Sequence, residues 1–88
     1  MPYIKKDIRQ SLDHHLELIS IGIMSPGELN YCITCLIQRY VKDNGKSYTT
    51  MNECIGVLDS AKMEFYRRVV APYEHQKVEE NGDIDILK

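Results

Sequence analysis

Six side chains able to bind an anion crowd one segment of this chain. Lys62, Tyr66, Arg67, Arg68, Tyr73 and Lys77 all fall within Lys62–Lys77. Between Ala61 and Val78 there are four Lys/Arg against two Glu, a local basic excess in an acidic protein. Arginine offers a fork of donors that matches phosphate or carboxylate oxygens. Tyrosine offers a ring for stacking and a hydroxyl for hydrogen bonding. Together they suit a small anionic, nucleotide-like ligand. Lys62, Arg67, Arg68 and Lys77 are expected to contact anionic oxygens, and Tyr66 and Tyr73 to stack on a base or close the pocket. Asn30, Tyr31 and Asn81 are candidates for orienting hydrogen bonds. A competing reading makes the same patch a structural ion-pair surface. Glu64 and Arg68 have i, i+4 spacing, and Arg67 can pair with Glu79, Glu80, Asp83 or Asp85 of the acidic tail.

No other cluster suggests catalysis. Cys32-Ile33-Thr34-Cys35 has CxxC spacing but lies inside an apolar helical pattern, and redox or zinc pairs favour turns or helix N-termini. The two thiols read as small core hydrophobes. Adjacent His14 and His15 point about 100° apart on a helix and cannot chelate one ion together. No nucleotide-loop, metalloprotease or nucleophile-elbow motif is present. The expectation is a non-enzymatic protein with no catalytic residue, no metal and no cofactor. Gly56 and Ser60, one turn apart, make a small surface that another helix can approach closely. Both intrachain packing and a subunit interface fit that surface.

The elements that must position these groups read as helices. Ile8, Leu12, Leu16 and Ile19 share one face of a helix over Lys5–Ile19, and Gly22 breaks it. Ser25-Pro26-Gly27-Glu28 is a capping box with proline at the first helical position, and Met24 and Leu29 are spaced for a hydrophobic staple. The second helix is expected over Pro26–Asp43, with Leu29, Cys32, Ile33, Leu36, Ile37 and Tyr40 on its apolar face and Asn44-Gly45 as its stop. A second box, Thr50-x-x-Glu53, sets the third helix near Thr50, with Thr49 as an alternative cap. Helix N-termini attract anions, but Glu28 and Glu53 occupy these two. Met51, Ile55, Leu58, Phe65 and Val69 form the third stripe. Pro72 must end or kink this helix near Val70, because it lacks an N–H and its ring clashes with the preceding turn. Asn81-Gly82-Asp83 then makes a turn. The predicted fold is all-α: a three-helix arrangement with an N-terminal helix on an antiparallel helical hairpin, and a long third helix kinked at Pro72. Residues 1–80 are expected to form one helical domain and 81–88 an acidic tail.

Size and charge bound the partners. At 88 residues and 10.2 kDa a monomer would be marginally stable, so a homo-oligomer is expected. A net charge of −2 and a pI near 5.9 argue against a nucleic-acid partner. No apolar run is long enough to span a membrane, and no signal-peptide pattern opens the chain. A cytoplasmic location follows, with Cys32, Cys35 and Cys54 as free thiols. The partners to be weighed are a second copy, a small anionic ligand, and a host protein bound through the third helix and tail.

Several stretches are familiar together. They are Met1-Pro2-Tyr3-Ile4, Ser25–Tyr31 with Ile33-Thr34, Tyr48–Gly56, the run Glu64-Phe65-Tyr66-Arg67-Arg68-Val69-Val70-Ala71-Pro72-Tyr73-Glu74, and Glu80-Asn81-Gly82-Asp83. On these the chain resembles a family of short uncharacterised proteins of tailed phages and mobile elements. The resemblance implies a viral or mobile-element origin and the host cytoplasm, and it assigns no activity. Small oligomeric phage proteins of this size include sequesterers of host nucleotide signals, which need only a rigid pocket with cations and rings. His75 departs from the pattern, where an acidic residue is expected, and so does the tail Ile84–Lys88.

Overall fold

The computed structural model describes residues 3–87. Every regular element among them is helical: α1 Lys6–Gly22, α2 Pro26–Asn44, α3 Tyr48–Phe65, a π segment Tyr66–Val70, and α4 Ala71–Asn81. The last three run on without a break, so the chain has three helices and the third is long. This is the all-α class expected. Met1-Pro2 and Lys88, which belong to the familiar N-terminal stretch and to the tail, lie outside the described residues.

The helix ends show how local chemistry sets the boundaries. Gly22 is the last residue of α1, as expected of a breaker. At α2 the Glu28 N–H donates to Ser25 Oγ at 3.2 Å, which is half of the predicted box. The other half reaches one residue further back: Met24 N–H donates to Glu28 Oε1 at 2.8 Å. Met24 is therefore held by its backbone, and its side chain stays 82% exposed instead of stapling to Leu29. Gly45 follows α2 at φ 96°, a left-handed turn that favours glycine.

The cap of the third helix lies three residues earlier than the Thr50-x-x-Glu53 box implied. Ser47 is its cap, accepting from Thr50 N–H at 3.2 Å and donating its hydroxyl to Thr50 Oγ1 at 3.1 Å. Ser47 satisfies an orphan N–H as well as Thr50 would, and this frees Thr50 to be buried within α3. Glu53 takes no part in the cap.

The interruption that Pro72 demands takes the form of the π segment. In an α register the Pro72 ring would meet the carbonyl of Arg68 four residues back. The wider π turn moves that carbonyl aside, and Ala71 N–H donates to Tyr66 O, five residues back. Pro72 then sits in the first turn of α4. Gly82, at φ 82°, ends α4 with its N–H on Val78 O at 2.8 Å. The tail beyond it is not helical, and Ile84, Ile86 and Leu87 are 80% exposed or more.

The chain divides into two compact units, residues 1–40 and 41–88. In the first unit no described residue is buried, and Ile23, Cys32, Cys35 and Ile37 are half-buried. In the second, Thr50 and Cys54 are the buried residues among those described. The apolar stripes predicted for all three helices exist, and they remain largely exposed.

Candidate functional site

The π segment organises the cationic patch. Arg67 Nη2 donates to Glu64 Oε2 at 2.8 Å, and Arg68 Nε to Glu64 Oε1 at 2.6 Å. One carboxylate thus holds both guanidinium groups. The predicted Glu64–Arg68 pair is present. Arg67 pairs with Glu64 instead of the acidic tail, because three residues along the helix is the shorter reach. Both arginines stay open, with side chains 72% and 58% exposed, so forked donors remain available for an incoming anion.

Tyr66 bonds where α-helical geometry would not place a partner. Its hydroxyl donates to both carboxylate oxygens of Glu74 at 3.2 Å. Eight residues along an α-helix lie about 80° round its axis. The extra residue of the π turn cancels most of that angle and brings the two onto one face. The bond to Glu74 and that carboxylate's charge raise the Tyr66 phenol above the ordinary tyrosine range.

Two hollows collect most of the predicted residues. The larger, about 630 Å³, is lined by Ser60, Lys62, Met63, Glu64, Tyr66 and Arg67. Lys62 makes no ion pair among the described residues. The smaller, about 310 Å³, includes Tyr73, Glu74, Lys77 and Asn81 in its walls. There Lys77 Nζ lies 5.4 Å from the Tyr73 ring centre, a cation–π contact, and 3.0 Å from Glu80 Oε2. Tyr73 and Lys77, four residues apart, are thus paired, but Glu80 has claimed the ammonium. Arg68 lies in neither lining and serves to hold Glu64.

Asn30 and Tyr31 belong to the first unit, and their nearest polar partners lie on their own helix. Asn30 Oδ1 accepts from Thr34 Oγ1 at 3.4 Å. Tyr31 sits by Cys35, whose hydrogen bond and charge raise the Tyr31 phenol. Cys32 and Cys35 are half-buried free thiols and Cys54 a buried one. Sequence reasoning missed Glu74 and the double role of Glu64. A π turn has no periodic signature, and Pro72 behind a basic run was the one available signal.

The fold and patch define an all-α helical protein with a cation- and tyrosine-lined surface around a π turn. A family profile described as a domain of unknown function, DUF6899, matches residues 1–84, and the chain belongs to that family. No curated protein and no solved structure matches the chain.

Proposed function

We propose that this chain is a non-enzymatic binding protein of phage or mobile-element type that captures a small anionic, nucleotide-like ligand, works as a homo-oligomer, and sequesters that ligand in the host cytoplasm. The observation that carries this reading is the hollow beside the π turn. It gathers Lys62, Tyr66 and Arg67 round about 630 Å³, a size suited to a nucleotide. Lys62 and Arg67 meet the anionic oxygens, and the Tyr66 ring meets the base. π turns within α-helices recur at functional sites, which adds weight to this location. Tyr73, Lys77 and Asn81 form a second, weaker subsite.

Equilibrium dialysis of the full chain against cyclic nucleotides and ADP-ribose derivatives tests the reading. At least one is expected to bind, and Arg67→Ala to weaken it ten-fold or more. Binding by none of the panel, or equal binding by the variant, overturns it.

The exposed apolar tail favours a second reading, an adaptor that inhibits a host protein through the third helix and tail. Ile84, Ile86 and Leu87 are 80%, 85% and 100% exposed. Co-elution of a host protein that is lost on removing residues 83–88, with no ligand bound, would select it.

A further inference from the structure

The third helix carries apolar side chains on more than one side. Ile55, Val57 and Met63 are 60%, 59% and 70% exposed, while Thr50 and Cys54 face inward. One of its faces has a particular pattern. Glu53, Gly56, Ser60, Met63 and Arg67 follow one another three, four, three and four residues apart. That spacing keeps them on a single seam, as in helices that pack side by side. All five are exposed. A Cβ added at Gly56 would meet nothing within 4 Å. Gly56 is therefore not explained by packing within its own unit, although it costs a helix about 1 kcal/mol against alanine.

The seam is complementary to itself. It has a carboxylate at one end, Glu53, small residues in the middle, and at the other end the Arg67 guanidinium, which gives Nη2 to Glu64 and keeps the other donors of its fork. The ends are fourteen residues apart, about 21 Å along the axis. Two such helices laid antiparallel about Ser60 set Glu53 of each against Arg67 of the other, at both ends at once. A two-fold contact demands this reciprocity. Laid parallel, like charges would meet at both ends.

We propose that this seam of α3 docks a second copy of the same chain, antiparallel and centred on Ser60. Gly56 and Ser60 let the two helices approach closely. The hollow at Lys62, Tyr66 and Arg67 shares Ser60, Met63 and Arg67 with the seam, so a second copy on the seam borders the ligand held there. That last point rests on the ligand-capture reading. The pairing itself does not.

Sedimentation equilibrium on the full chain tests the pairing, with far-UV circular dichroism confirming unchanged helicity in every variant. Wild type is expected to associate. Gly56→Leu, which has room within its own unit, is expected to associate at least ten-fold more weakly. Glu53→Arg is expected to weaken association similarly, and Glu53→Arg with Arg67→Glu to restore it. A monomeric wild type, a Gly56→Leu protein that associates like wild type, or a charge swap without rescue overturns the proposal. Should variants lose helicity, Ser60→Arg on the same exposed seam makes the same prediction. Intact pairing with no nucleotide bound refutes the ligand reading alone.

Discussion

Glu64 is the residue on which the cationic patch turns. It holds Arg67 and Arg68 at once, which restricts two flexible guanidinium groups ahead of the proposed binding. Such preorganisation lowers the entropy lost on binding. Surface ion pairs contribute little to stability, about 0–1 kcal/mol, so Arg67→Ala is expected to shift the unfolding midpoint only slightly while removing ligand binding. A denaturant melt beside a binding curve separates the two effects. Tyr66 gives a titratable reporter. Its phenol is raised by Glu74, so its hydrogen bond is intact below the ordinary tyrosine range and is lost as pH rises through the raised value. Glu74→Gln removes the opposing charge and is expected to bring one tyrosine back to lower pH in an ultraviolet titration. Unchanged curves would separate Tyr66 from Glu74. The cations, rings and Glu64–Arg68 pair were legible in the sequence, because each depends on residue type and spacing along one helix. The Tyr66–Glu74 bond was not, because it depends on a change of helical register.

At the scale of elements, caps and breakers decide where helices begin and end. Ser25, Gly22 and Gly45 did what their types require. The cap of α3 lies three residues before the one that Thr50-x-x-Glu53 predicts, because Ser47 and Thr50 are both sound caps and nothing local ranks them. Ser47→Ala is expected to destabilise the chain by about 1 kcal/mol, and Thr49→Ala, which caps nothing, by much less. Thermal melts compare them directly. Pro72 dictates an interruption, but its type does not dictate how the helix absorbs it: a kink and a π turn both relieve the same clash. Pro72→Ala is expected to let residues 66–70 relax into an α register. That would raise thermal stability, break the Tyr66–Glu74 alignment and weaken ligand binding. Backbone chemical shifts across Tyr66–Val70 would register the change. An unchanged π turn would show that other residues hold it.

At the scale of the whole molecule, the apolar stripes outnumber the surfaces that cover them. Only Thr50 and Cys54 are buried among the described residues, far short of the core that a small domain needs to stand alone. Periodicity predicted every stripe but not its cover, since a stripe is the same whether it meets its own chain or another copy. If copies associate as proposed, melting temperature is expected to rise with protein concentration.

Capture of an anionic nucleotide-like ligand at the hollow of Lys62, Tyr66 and Arg67, by an assembly of copies, is the proposal most directly open to measurement. Native mass spectrometry of the full chain with cyclic nucleotides and ADP-ribose derivatives reads ligand and assembly together. A discrete oligomer carrying a stoichiometric nucleotide is expected, and the same oligomer without it for Lys62→Ala. A chain that takes up no nucleotide, or a Lys62→Ala protein that takes up as much as wild type, would contradict it.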